Sequence, residues 1–231
     1  MALTKSKGNM YSWVTHTHTH LGGACSHACI YCYVQAMAQR FPAMKAKYSG
    51  PVRLIEKELD VDYGSGKTIF IDHLNDLFAE DVSVADIHWV LGHTYDYPDN
   101  TYVFQTKNPE NVLPFLDCLP PHCMIGTTIE TNRIYPDIST APTPEDRYNA
   151  MRKLPKSIKT FVTIEPILNF DLEVLAGWMK LLRPSFVNIG ADSKNHGLPE
   201  PTMEKVGELI VSLQQSGIEI REKSNLERLR R

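Results

Sequence analysis

Short runs with strand character alternate with longer stretches of helical period through almost the whole chain. The strand candidates are residues 11–20, 68–73, 101–106, 123–129, 160–164 and 186–189, with a weaker run at 218–220. Several are nearly continuous in apolar or β-branched residues, as strands covered on both faces are. Between them, helical period marks residues 30–41, then Val84, Ile87, Val90 and Leu91, then Val112, Leu113, Phe115 and Leu116. It returns at 144–154, where Thr143 reads as an N-cap and Pro144 as the first helical residue. Two further stripes follow, Leu172, Leu175, Trp178, Met179 and Leu182, and Met203, Val206, Leu209, Ile210 and Leu213. Alternation sustained through about six units predicts a parallel sheet with helices outside it. A doubly wound sheet and a full or partial barrel both satisfy the pattern. In either, functional residues belong at the carboxyl ends of the strands.

Composition narrows the function classes. The chain has 231 residues, 42% hydrophobic and 22% charged, with a net charge of −3. That excludes a collagen, a coiled coil and a disordered chain. No apolar run approaches the ~18 residues that cross a bilayer. The first ten residues are polar and no apolar run follows, so the expectation is a cytoplasmic protein with no signal peptide and no membrane partner. One domain is expected over 1–231, with 1–10 as an N-terminal extension and 218–231 as a basic C-terminal tail. Near-neutral charge excludes a chain-wide polybasic nucleic-acid binder. Arg40, Lys45, Lys47 and Arg53, together with Arg221, Lys223, Arg228, Arg230 and Arg231, either track a phosphate backbone locally or form a solvated surface.

Five cysteines is an odd number, and three crowd into Cys25-Ser26-His27-Ala28-Cys29-Ile30-Tyr31-Cys32. A secreted disulfide framework fits this poorly; a metal or cluster site in a reducing compartment fits it better. The spacing is C-x3-C-x2-C, directly after the first strand. Three thiolates leave one iron of a 4Fe–4S cluster without a protein ligand, whereas electron-transfer ferredoxins use four. The competing reading is structural zinc in a Cys3His site, with His20 or His27 as the fourth ligand. Cys118 and Cys123 flank Pro120-Pro121 and read as structural thiols.

With Tyr31 in the aromatic position before the third cysteine, the segment resembles the signature of radical S-adenosylmethionine (radical SAM) enzymes. A second resemblance runs from about Trp13 to Gly217. It rests on Phe70-Ile71-Asp72-His73-Leu74-Asn75-Asp76-Leu77-Phe78, Phe104-Gln105-Thr106-Lys107-Asn108-Pro109-Glu110, Gly126-Thr127-Thr128-Ile129-Glu130 and Ile164-Glu165-Pro166-Ile167-Leu168. In this order they resemble a phage-associated radical-SAM-like family distantly similar to spore photoproduct lyases. Many of those relatives have a longer gap between the first two cysteines; this chain has the standard radical SAM spacing.

The resemblance implies a partial (β/α)6 TIM-like barrel of the radical SAM type. It implies a 4Fe–4S cluster on Cys25, Cys29 and Cys32, with the open iron chelating SAM. An electron from a flavodoxin- or ferredoxin-like donor then cleaves SAM to a 5′-deoxyadenosyl radical that takes hydrogen from a substrate. Tyr31, Asn75, Asp76, Gln105, Lys107, Thr128 and Glu130 are the expected SAM contacts. Asn75 and Asp76 are placed for the methionine amine, and both are also common N-caps. Lys107 is placed for the SAM carboxylate or a substrate phosphate, Thr128 and Glu130 for a ribose hydroxyl. Glu165, Asn188 and Asp192 are the substrate-side candidates. The implied substrate is a nucleobase, nucleotide or nucleic acid, such as a modified base in phage DNA. A peptide or small metabolite is the alternative, and a non-catalytic zinc or Fe–S module is the alternative from another class.

Two other signals carry less. Gly64-Ser65-Gly66-Lys67-Thr68 resembles the end of a P-loop, but position 61 is Val61 and the segment precedes a strand. His16, His18 and His20 alternate with threonines, so on a strand they share one face. The expectation places that face in the barrel interior near the cysteines.

Overall fold

The structure, a computed structural model, describes residues 3–8 and 10–230. Met1, Ala2 and Asn9 of the expected extension and Arg231 of the expected tail lie outside the described residues. Sixteen helices and strands are numbered in chain order: β1 (Thr4–Lys5), β2 (His16–His18), β3 (Leu21–Gly22), α1 (Tyr33–Arg40), α2 (Pro42–Lys47), β4 (Arg53–Leu54), β5 (Thr68–Ile71) and α3 (Val84–Tyr95). There follow β6 (Thr101–Thr106), β7 (Cys123–Thr128), α4 (Pro144–Met151), β8 (Lys159–Ile164), α5 (Leu172–Leu182), β9 (Val187–Ile189), α6 (Met203–Gln215) and β10 (Ile220–Glu222).

The main sheet runs β1-β2-β5-β6-β7-β8-β9-β10, in the order of the chain. From β2 to β10 every neighbouring pair is parallel. A doubly wound sheet reverses its strand order midway; this one never does. The winding is that of a (β/α) barrel left open, with β1 and β10 as the two edges. Among the described residues the parallel strands number seven, one more than the six expected. The extra one is β10, so the expected basic tail is partly a strand of the sheet. The N-terminal extension contributes β1, which pairs antiparallel with β2.

Side-chain alternation separates two faces. Ile69 and Ile71 of β5, with Tyr102 and Phe104 of β6, pack outward against Ile87, Val90 and Leu91 of α3. Val162 and Ile164 of β8 pack outward with Leu175 and Met179 of α5 and Val206, Leu209 and Leu213 of α6. The intervening Phe70, Val103 and Phe161 face inward and meet Tyr11 and Val14. Gly126 makes this inner packing possible: a Cβ there would lie 2.1 Å from the Phe161 ring.

Three expectations change. The first strand is three residues long, not ten. Tyr11 and Trp13, expected on it, instead form an irregular segment that stacks on the inner face (ring centroids 5.3 Å apart). The helix expected around Val112 is a 3-10 segment, Pro109–Cys118, interrupted by Pro114, which cannot donate to an α-helical ladder. The histidines have the opposite parity. His16 and His18 align with Ile69 and Ile71, so they face outward, while Thr17 aligns with the inward Phe70. Helix α4 keeps its expected start, with Thr143 and Asp146 forming a capping box.

Candidate functional site

The cysteine loop leaves β2 at the carboxyl end of the sheet and is fastened from two sides. From below, Asp72 accepts hydrogen bonds from the His20 and Leu21 amides (2.8 and 3.0 Å), and the Asn75 side chain donates to the Gly23 carbonyl (3.2 Å). His27, between the first two cysteines, donates from Nε2 to Asp76 (2.8 Å). The same Asp76 accepts the amides of Phe78 (3.1 Å) and Lys107 (2.8 Å). One buried carboxylate thus joins the cysteine loop to the ends of β5 and β6. Burial acts to raise the Asp76 carboxyl, but His27 and the Lys107 amide outweigh it and hold the group below the usual carboxylate range.

From above, residues 138–140 run along the loop. The Ile30 amide donates to the Ile138 carbonyl (3.0 Å), and the Thr140 amide to the His27 carbonyl (2.9 Å). The Ser139 hydroxyl donates to that same His27 carbonyl (2.8 Å) and lies 3.2 Å from the Cys29 sulfur. The Thr140 hydroxyl donates to the Ser26 carbonyl (2.6 Å). Ala28, inside the loop, takes a left-handed backbone (φ 44°) that residues other than glycine rarely adopt. Cys29 is buried; Cys25 and Cys32 are half-buried. Burial and the neighbouring Asp76 charge push the Cys25 thiol up to about 12.

Beside the loop lies a charged cluster from β6, β7 and α4. Arg147 donates from Nη1 to Glu130 and to the Thr128 carbonyl (both 2.7 Å). Tyr31 donates its hydroxyl to the other Glu130 oxygen. Lys107 Nζ lies 4.0 Å from Glu130 and 5.3 Å from the centre of the Tyr31 ring. Burial alone would raise the Glu130 carboxyl; Arg147 and Lys107 instead take it down to about 2. Burial and the Glu130 charge lift the Tyr31 phenol well above its usual range. A cleft of about 330 Å³ opens here, lined by Glu130, Tyr135, Ser139, Thr140, Arg147 and Leu168.

Across the mouth, a polar chain crosses the inner face. Thr128 accepts from the Gln105 amide (2.9 Å), and Gln105 accepts from the Tyr11 hydroxyl (2.8 Å). Tyr11 also meets Thr163 (2.7 Å), which accepts from Asn188 (3.1 Å). Above it, Glu165 pairs with Lys223 (2.7 Å) and accepts from Asn225 (2.6 Å). Gly190 leaves room for that contact, since a Cβ there would fall 2.9 Å from Glu165 Oε1.

The match of the family model covers residues 9–193, under the description protein of unknown function (DUF5131). The chain belongs to this family. Solved structures share the fold of this DUF5131 chain. A point mutant of spore photoproduct lyase aligns with a TM-score of 0.63 at 13% identity, over 95% of this chain and 79% of that one. A lyase mutant with bound AdoMet and dinucleoside spore photoproduct gives 0.57 at 14% identity, over 91% of this chain and 64% of that one. Streptococcus suis SuiB bound to precursor peptide SuiA gives 0.58 at 8% identity, over 90% and 48%. The DUF5131 chain therefore spans less than two thirds of that lyase complex's chain and about half of SuiB. The mostly parallel α/β sheet is similar to the radical SAM folds of both. No curated protein sequence matches the chain.

On this DUF5131 fold, Tyr31, Asp76, Lys107 and Glu130 meet around the cysteine loop, and Gln105 and Thr128 continue from them along the inner face. Asn75 fastens the loop. Asn188 joins the polar chain, and Glu165 stands above it. Asp192 is buried and closes its own loop: it binds the His196 ring (2.6 Å) and the Lys194 amide (3.1 Å). The reading of the sequence missed Ser139, Thr140, Arg147 and Asn225, and gave Lys223 only as part of a basic stretch. No motif marks the first three; the last two carry the signal that β10 ends where functional residues belong.

Six of the basic groups read as a phosphate track are engaged within the chain. Arg221, Lys223, Arg228 and Arg230 pair with Glu219, Glu165, Glu200 and Glu222. Lys47 pairs with Glu58 (3.2 Å), and Arg53 donates to backbone carbonyls of 46–51. Lys67 of the P-loop-like segment donates to the Tyr63 carbonyl (2.7 Å).

His18 and His20 do not line the mouth. With His93 of α3 and Tyr63 they form a buried group behind the sheet. His93 Nε2 faces the Val61 carbonyl (3.0 Å), His20 Nε2 faces His93 Nδ1 (2.9 Å), and His20 Nδ1 faces Asp72 (3.3 Å). Burial, then the nearby His20, lowers the His18 ring to about 3. The group therefore braces Asp72, which in turn holds the start of the cysteine loop.

Proposed function

We propose that this chain is a radical SAM enzyme. The observation that carries the reading is the C-x3-C-x2-C loop, fastened at the carboxyl mouth of an open, sequentially wound parallel sheet. The donor set suits a 4Fe–4S cluster on Cys25, Cys29 and Cys32. Three thiolates in one loop leave one iron of such a cluster without a protein ligand, the position that would take SAM. When bound, the cluster supplies one electron that splits SAM into methionine and a 5′-deoxyadenosyl radical.

The chain's own groups then have distinct tasks. His27–Asp76 and the 138–140 segment fix the loop. Asn75 and Asp76 would take the methionine amine of SAM, and Lys107 would offer a cation to its carboxylate. Gln105, Thr128 and Glu130 supply acceptors and donors for the ribose, with Arg147 holding Glu130 ionised. Tyr31 holds the other Glu130 oxygen beside the cleft. Glu165, Asn188 and Asp192 are the substrate-side groups. The likeness to a lyase bound to a dinucleoside supports a nucleobase, nucleotide or nucleic acid as substrate. A peptide is the second reading, supported by the comparable likeness to SuiB with its precursor peptide. The electron donor in this scheme is a flavodoxin- or ferredoxin-like protein. No helix among the described residues is long and apolar enough to cross a membrane.

Mass spectrometry of nucleosides from DNA exposed to the reduced enzyme and deuterated SAM tests the substrate class. A protein-dependent mass change in a nucleoside supports the first reading. Its absence, with a changed peptide from the same extract, supports the second.

A further inference from the structure

The hydrogen bonds of Ser139 contain a choice. Its one hydroxyl proton goes to the His27 carbonyl (2.8 Å), while its oxygen accepts from the Ala141 amide (3.2 Å) and meets the Cys29 sulfur at 3.2 Å. With Cys29 as a thiol, S–H donates to Ser139 and every group is satisfied. A cysteine binds metal as the thiolate, which carries no proton. The Cys29–Ser139 contact then holds no hydrogen unless the serine hydroxyl turns to the sulfur. It is able to turn, because the His27 carbonyl keeps a second donor, the Thr140 amide at 2.9 Å. Nothing is left unpaired by the rotation, whereas keeping the old arrangement sets an oxygen lone pair against a thiolate.

Resting on the cluster reading above, we propose that Ser139 is a positioning residue that donates a hydrogen bond to the Cys29 thiolate and raises the reduction potential of the cluster. Hydrogen bonds to cluster sulfurs stabilise the reduced, more negative state. The hydrogen bonds of Ile138 and Thr140 go to the loop backbone, while that of Ser139 reaches the Cys29 sulfur, so the effect belongs to one hydroxyl. Thr140 is the natural control. Its hydroxyl donates to the Ser26 carbonyl, and its removal loosens the same segment without changing any contact to Cys29.

The experiment is a potentiometric titration of the reconstituted cluster followed by electron paramagnetic resonance, on the full chain and on Ser139→Ala, Ser139→Thr and Thr140→Val. The expected result is a lower potential in Ser139→Ala, read as a severalfold smaller reduced fraction at fixed poise, with Ser139→Thr and Thr140→Val matching the parent. An unchanged potential in Ser139→Ala overturns the proposal, as does an equal fall in Thr140→Val. If Ser139→Ala takes up no iron, the parent protein decides: its iron–sulfur stretching frequencies shift in deuterated water if an exchangeable donor reaches Cys29, and Ser139→Thr keeps that shift. No shift overturns the proposal. A parent chain that takes up no iron refutes the cluster reading itself, a separate outcome.

Discussion

The two sides of the mouth are built differently. On the side of the cysteine loop, buried carboxylates at the ends of β5 and β7 are already locked: Asp76 by His27 and the Lys107 amide, and Glu130 by Arg147, Lys107 and Tyr31. On the far side, Asn188 joins Thr163 by a neutral hydrogen bond, and the pairs Lys223–Glu165 and His196–Asp192 each keep a partner partly open at the rim. Fixed charges in a dry setting suit a site that receives the same ligand in every turnover, since they need no rearrangement when it arrives. Looser groups at the rim suit a site that admits a larger, varied partner. Under the proposed function, SAM goes to the first side and substrate to the second.

Substitutions separate the sides, from the largest effect to the smallest. Cys29→Ala on the first side removes a proposed cluster ligand. Iron content and SAM cleavage both fall to background, read by iron assay and by chromatography of 5′-deoxyadenosine. If cleavage survives, the cysteine loop is not the site. Next, Glu130→Gln leaves Arg147 buried without its counter-charge, and the cluster-free protein loses about 3–5 kcal/mol in denaturant unfolding. A loss under 1 kcal/mol contradicts the view that this side is held by locked charges.

The pH dependence of the parent chain gives a smaller effect. The Glu130 carboxyl stands at about 2 in the folded chain against an ordinary 4.5. A depressed carboxyl stabilises the fold above its unfolded value and loses that contribution as protons bind. The stabilisation is therefore complete above pH 4.5 and disappears as pH falls toward 2, on the order of 3 kcal/mol in all. Acid unfolding followed by circular dichroism should show a steeper fall in that window for the parent than for Glu130→Gln. Smallest is Lys223→Met on the far side. The pair it breaks is mostly buried but reaches the rim, so stability falls by about 1–3 kcal/mol, less than for Glu130→Gln. SAM cleavage driven by dithionite without substrate stays at the parent rate, and only substrate turnover falls. A matching loss of substrate-free cleavage would erase the distinction between the two sides.

Much of this was legible in the sequence, for identifiable reasons. Parallel strands buried on both faces leave continuous apolar runs, so 101–106, 123–128 and 159–164 appear nearly as read. The cysteine spacing is local, and locality is what a sequence displays best. The histidine parity was not legible, because which face of a three-residue strand turns outward is decided by its neighbour: Ile69 and Ile71 take the outer core and carry His16 and His18 with them. Ser139 lies 110 residues from Cys29, and nothing near either residue announces the contact. Lys223 and Asn225 were hidden by composition, since a run rich in Arg, Lys and Glu looks like solvated surface until β10 completes the sheet.

The most direct test of the account is anaerobic reconstitution of the full chain with iron and sulfide, followed by SAM and dithionite. The account predicts a brown protein with about four irons per chain that releases methionine and 5′-deoxyadenosine. A chain that binds zinc in place of iron, or that holds the cluster and leaves SAM intact, would contradict it.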